Sequence, residues 1–334
     1  MTDFFSPDYV TARDRFRHGV LNTGGQIESI RVDAAGPRGD DLTIDVGWFG
    51  SSAPRRAFIH SSGLHGVEGF AGSAIQLQWL EEGIGQVPDD GAIAIVHALN
   101  PYGMAWLRRA DENNVDLNHN FLGTDEDYSG APEHYAALNA WLNPVSPPAP
   151  DAFRLRALGK VLRYGMPALR AEMTEGQYDF PAGLSFGGRQ HAQATRRFQI
   201  YLSGRLAFGD RLVGVDVHTG PGPFGEGAFL LAGAEPTGHS SGANRGTLGS
   251  LYCRMFPGAK VHFATQEFGT GGTLSALAAL RAENRHHHYG GAAIDHPAKE
   301  QLLNVFCPRD DRWRKKVLAR GKEVIDEART LAFA

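Results

Sequence analysis

The chain has 334 residues, 42% hydrophobic and 21% charged, which is enough apolar material for a substantial α/β core. Lys and Arg number 33 against 37 Asp and Glu, a net charge of −4 that excludes the basic footprint of a nucleic-acid binder. No apolar run reaches the length of a membrane span, and Cys253 and Cys307 are too few for a disulfide framework, so a cytoplasmic setting without a membrane partner is expected.

Residues 7–19 read as a helix and residues 27–31 and 42–49 as strands. Strands at 57–60 and 92–98 flank an amphipathic helix at 71–80, the strand-helix-strand order of parallel neighbours. Between the first of these strands and the helix lies Gly63-Leu64-His65-Gly66-Val67-Glu68-Gly69. Its histidine nitrogen and carboxylate oxygen, three residues apart on a glycine-rich turn, can close on one metal ion, and zinc accepts both ligand types. The stretch 100–121 after the next strand is dense in Arg108, Arg109, Asn113, Asn118 and Asn120. Arginine offers a fixed fork for an oxyanion or carboxylate, with an ordinary polar loop as the alternative. Residues 144–150 are proline-rich and read as a surface excursion within one domain covering 1–334, because candidate ligands lie on both sides of it. Residues 175–191 form a glycine- and aromatic-rich loop in which Tyr178 and Arg189 either contact substrate or belong to plain surface.

A buried strand at 212–217 runs into His218 and a glycine turn, at the carboxyl end where open α/β sheets collect functional groups. Two histidines and a carboxylate leave a fourth zinc position for water, the pattern of a catalytic site. Asp216 either orients an imidazole from behind or points to the opposite face. Strands follow at 228–231 and 261–267. Glu267 closes the second, where a carboxylate is costly without a partner or a task. Beside zinc the task is general base and then proton donor to a leaving amine; otherwise it is an exposed edge position. Helices at 273–284 and 310–328 end the chain, and His286-His287-His288 suits a helix-end cap or pocket lining better than a second metal.

Together these motifs resemble the metallocarboxypeptidase superfamily, the zinc hydrolases typified by pancreatic carboxypeptidase A and, further off, aspartoacylase, in a bacterial branch. The shared order is His65/Glu68, then Arg109 ahead of Asp116-Leu117-Asn118-His119-Asn120-Phe121, then His218, then Glu267, covering about residues 57–270. The resemblance implies a mixed, mostly parallel sheet of about eight strands with helices on both faces, and one zinc ion per chain. It implies that His65, Glu68 and His218 hold zinc, that Glu267 activates water and that Arg109 stabilises an oxyanion, with Arg108 as the neighbouring alternative. It further implies that Asn118 binds a substrate carboxylate. The departure is His119, where the family has arginine; histidine is shorter and cannot make the same two-pronged carboxylate pair.

A zinc-dependent hydrolase cleaving an amide in a peptide or small-molecule substrate is therefore expected, carboxypeptidase-like or, given His119, an N-acyl amino acid deacylase. The reading from another class is a non-catalytic metal- or ligand-binding module, against which the retained Glu267 argues.

Overall fold

A computed structural model describes residues 3–206, 209–231 and 245–334. The first helix, α1 (Tyr9–Asn22), is capped by Asp8, whose carboxylate accepts the Thr11 amide at 2.8 Å. Its buried Tyr9, Ala12, Phe16 and Val20 recur at helical spacing and make one inward stripe. The hairpin β1 (Gln26–Ala35) and β2 (Asp41–Gly50) follows, then β3 (Arg56–Ser62), α2 (Gly69–Glu82) and β4 (Gly91–His97). After α3 (Pro101–Ala105), a long excursion carries α4 (Tyr135–Leu142), α5 (Phe153–Thr174) and α6 (Gln193–Arg205). The chain returns through β5 (Arg211–Gly220), β6 (Gly227–Leu231), α7 (Leu248–Met255) and β7 (Lys260–Gly269). It closes with α8 (Thr273–Tyr289), α9 (Pro297–Phe306) and α10 (Asp311–Phe333).

Among the described residues, seven strands form one sheet in the order β1-β2-β4-β3-β5-β7-β6. The class is the expected mixed α/β sheet with helices on both faces; among the described residues it has seven strands, and half of its pairings are parallel. Only the β4-β3-β5-β7 centre is parallel; β1 with β2, β2 with β4 and β6 with β7 run antiparallel. A short turn joins β1 to β2, and two strands so joined can pair only antiparallel.

Alternation along β5 sends Val213, Val215 and Val217 to one face and Gly214, Asp216 and His218 to the other. A Cβ on Gly72 of α2 would lie 3.2 Å from Val217 Cβ, whereas one on Gly214 would lie 3.3 Å from the Tyr252 ring of α7. Thus α2 and α7 cover opposite faces. The 71–80 segment, expected to be amphipathic, is buried almost all round, because α1 and α10 cover its side away from the sheet. Residues 144–150 are exposed and irregular as expected, and helices α4 and α5 on either side of them are additions to the sequence reading. Strand order reverses at β3, which has β4 on one side and β5 on the other. That switch brings together the strand ends at which the site lies.

Candidate metal centre

β3 ends at Ser62, and Gly63, at φ +69°, turns the chain out of the sheet in a conformation that favours glycine. A Cβ at Gly66 would sit 2.1 Å from the Gly103 carbonyl carbon, so the turn packs on α3 too closely for any side chain. A single 3-10 turn, Gly66–Glu68, then brings the Glu68 amide to the His65 carbonyl at 3.0 Å. His218 arrives separately, at the end of β5. His65, Glu68 and His218 are all buried and offer one ligand atom each within 4.8 Å of the others, the one such group of potential metal ligands among the described residues.

Each histidine is backed by an aspartate. Asp116 Oδ1 lies 3.2 Å from His65 Nδ1, and Asp216 Oδ2 lies 2.5 Å from His218 Nε2. Asp216 is itself held by the Ser61 hydroxyl, which donates at 2.5 Å. The two readings of Asp216 are thereby resolved: it shares the His218 face and orients the ring. Arg109 Nη2 donates to His65 Nε2 at 2.8 Å, and because guanidinium can only donate, Nε2 carries the lone pair and Nδ1 the proton toward Asp116. His218 presents its other nitrogen, Nδ1, 3.7 Å from Glu68 Oε2. A carboxylate behind each imidazole fixes the tautomer and aims the free nitrogen, which is how zinc histidines are supported.

Burial pushes the His65 pKa down to about 3, and Arg109 beside it adds to the shift, so the ring is neutral. Burial raises Glu68, against the pull of Arg109 and His218. Burial acts to lower His218, but Asp216 outweighs it and holds the ring above its ordinary value. Burial alone would raise Asp116; His65 and Arg109 hold it well below the carboxylate range. The charge inventory is lopsided. Glu68, Asp116, Asp216 and Glu267 face one permanent cation, Arg109, which donates to Glu68 Oε1 at 2.8 Å and Asp116 Oδ2 at 2.9 Å. A divalent ion suits that excess of negative charge. Zinc bonds of about 2.1 Å imply ligand atoms roughly 3.4 Å apart, close to the His218–Glu68 separation and somewhat tighter than the widest spread in the group.

Glu267 is the register partner of His218 on parallel β7, so both side chains leave the same face. Its carboxylate lies over Gly220, where a Cβ would come within 2.3 Å of Oε1. The structure therefore brings Glu267 and Arg109 to the three candidate ligands. Asn118 is half-buried; its side-chain oxygen accepts the Leu248 amide at 3.4 Å. His119 is buried, with Gly176 packed on its ring and Nε2 without a hydrogen-bond partner among the described residues. Burial holds it below its ordinary pKa, with nearby Asp116 opposing.

Arg108, expected among the substrate-binding groups, is instead 1% exposed and donates to Glu283 at 2.9 Å and Asn114 at 2.8 Å. Tyr178 is also buried, and its hydroxyl donates to the His119 carbonyl at 2.9 Å, which makes it a prop for that backbone. Arg189 is exposed on the loop. His286, His287 and His288 fall inside the last turn of α8, which runs five residues past the expected end; His286 stacks on His296 at 3.8 Å and bonds the Ala293 carbonyl. Asp116 belongs to the Asp-Leu-Asn motif and is the third acid after Arg109, behind Asp111 and Glu112, so the sequence alone does not single it out as the partner of His65.

Fold and site together define a mixed α/β protein with a buried His-Glu-His cluster at the ends of parallel strands. The chain belongs to the family described as protein of unknown function DUF2817, whose model matches residues 5–249 and 234–320. No curated protein matches it. Among solved structures it is similar to bovine thrombin-activatable fibrinolysis inhibitor in complex with tick carboxypeptidase inhibitor, at 8% identity over 97% of this chain and 100% of that one, with a TM-score of 0.46. It is also similar to carboxypeptidase A from Helicoverpa armigera, at 10% identity over 96% and 76%, TM-score 0.45. A succinylglutamate desuccinylase/aspartoacylase family protein from Shewanella amazonensis aligns at 17% identity over 80% and 73%, TM-score 0.38.

Proposed function

We propose that this protein is a zinc-dependent hydrolase that cleaves an amide bond in a peptide or N-acyl compound. The observation that carries the reading is the convergence of His65, Glu68 and His218, each imidazole backed by its own aspartate, with Glu267 beside them in register with His218. Zinc held by His65, Glu68 and His218 would supply acidified water and polarise the substrate carbonyl. Glu267 takes the proton from the attacking water and passes it to the departing nitrogen. Arg109 Nη2 rests on the His65 Nε2 lone pair that a metal would need, while Nη1 holds Glu68 Oε1 and leaves Oε2 beside His218 Nδ1. Were His65 Nε2 to hold zinc, Arg109 Nη2 would be released toward the oxyanion of the substrate, with Nη1 still on Glu68 Oε1 and Nε on Asp116 to position it.

The second reading, a deacylase for small N-acyl amino acids, is favoured by His119. A buried, neutral imidazole stands where a carboxypeptidase carries an arginine for the C-terminal carboxylate. Elemental analysis of zinc-supplemented protein, paired with hydrolysis of N-acyl amino acids, short peptides and their C-terminal amides, tests both. About one zinc per chain and chelator-sensitive cleavage are expected; a well-folded, metal-free and inert protein would overturn the proposal. Turnover of a peptide that survives amidation of its C-terminus would count against conventional exopeptidase specificity.

A further inference from the structure

Helix α5 is apolar on two opposite sides. Phe153 and Ala157, with Val161 and Tyr164, pack inward on the cluster that holds Trp141, Leu277 and Leu280. Leu155, Leu158 and Leu162, spaced for one helical face, point the other way and are 73%, 56% and 79% exposed. Met166 continues the exposed apolar surface just beyond a break at Gly165, whose φ is +81°. Apolar side chains in such a row, rather than scattered singly, mark an interaction surface.

Up to Arg170 the charges of the same helix are all of one sign. Arg154, Arg156, Lys160, Arg163 and Arg170 fall within it, and no acid occurs before Glu172, in a chain whose net charge is −4. None of the five is ion-paired among the described residues. The nearby acid Asp151 is already taken by Arg281 and Arg285. Beside the leucine row, between α4 and α5, lies an open groove of about 520 Å³ lined by Ala140, Trp141, Arg156, Gly159, Lys160 and Arg163. Lys160 and Arg163 also sit 5.8 and 5.2 Å from the Tyr164 ring centre, which keeps both cations close to the helix surface.

We propose that the outer face of α5 docks the protein on an anionic phospholipid surface, with Leu155, Leu158 and Leu162 in the acyl boundary and lipid phosphates in the Arg156–Lys160–Arg163 groove. A second copy of the chain fits worse, because pairing this face with itself by two-fold symmetry sets five cations against five. An amphipathic helix flanked by basic residues and lying in the interface plane needs both features together, a leucine row and adjacent cations. Among the described residues no helix is long and apolar enough to cross a membrane, and this docking needs none. Such docking departs from the sequence expectation of no membrane partner, which rested on the lack of a spanning segment.

Flotation of the full-length protein with vesicles of phosphatidylcholine, alone or mixed with phosphatidylglycerol, tests the proposal. Binding is expected only to the mixed vesicles, and it should weaken as salt is raised. Reversing three charges (R156E, K160E, R163E) should lower partitioning roughly a hundredfold. Replacing the leucines (L155S, L158S, L162S) should lower it at least roughly tenfold. Circular dichroism and zinc content should stay as in the parent, since every substituted residue lies outside the metal centre. Three results would each overturn the proposal: no flotation of the parent, equal binding to neutral vesicles, or unchanged binding by the variants. So would a parent dimer that the leucine variant converts to monomer, because the face would then be covered by a second copy.

Discussion

Arg108 and Arg109 are adjacent in sequence and feed two buried charge clusters of opposite character. Arg108 meets Glu283, and Lys299 reaches the same carboxylate oxygen at 2.6 Å; the three residues are 1%, 3% and 0% exposed. Burial would raise Glu283, but Arg108 and Lys299 keep it below its ordinary pKa, and Asn114 takes a further Arg108 donor. Arg109 instead faces Glu68, Asp116 and the lone pair of His65, with Asp216 and Glu267 beyond. The first cluster locks α8 and α9 to the loop after α3 and satisfies itself with its own side chains. The second keeps more negative charge than its one permanent cation can match, and that imbalance marks a place for a ligand.

The comparison can be broken at either end. The largest effect is expected from E267Q, which should keep zinc bound and lower kcat by about 10²–10⁴-fold, measured by hydrolysis rate alongside metal content. A variant with full activity would remove Glu267 from the mechanism. Glu283→Gln should do the converse. It leaves Arg108 and Lys299 buried without their anion, so denaturant unfolding should show a loss of about 3–5 kcal/mol with zinc stoichiometry unchanged. A loss of zinc in the refolded variant would show that the clusters are coupled rather than separate.

The acid response sharpens the contrast, because two histidines outside both clusters contribute to it. His60 and His97 are buried on the sheet, and burial pushes each pKa from 6.5 down to about 4. Between those values the unfolded chain binds protons that the folded chain refuses. Stability should therefore be full above about pH 6.5 and fall as pH drops toward 4, by about 3 kcal/mol per histidine. Unfolding curves across that range should flatten in H97Q, and an equally steep profile would assign the response elsewhere. The smallest effect is expected from Asp216→Asn, which keeps the shape beside His218 but removes the charge. Zinc affinity should drop by about 10–100-fold in a competition titration, and an unchanged affinity would leave Asp216 a role in packing only.

By itself the sequence determined the parts of the site that lie on one turn or one strand. His65 and Glu68 are held by local glycine geometry, His218 ends an apolar run that folds as a buried strand, and Glu267 ends a strand that is only partly buried, so spacing and periodicity reveal them. The α/β class was legible for the same reason, since strand-helix-strand alternation is a local pattern. Only the tertiary structure decided what no local pattern contains. It put half of the strand pairings antiparallel, sent Arg108 away to α8, seated Asp116 behind His65 and buried Tyr178 as a prop for His119. The same holds for α5, whose inner and outer apolar faces look alike in sequence until α4 and α8 cover one of them. The physical reason is common to all these cases: hydrophobic burial and charge pairing depend on which surfaces meet, and residues distant in the chain settle that.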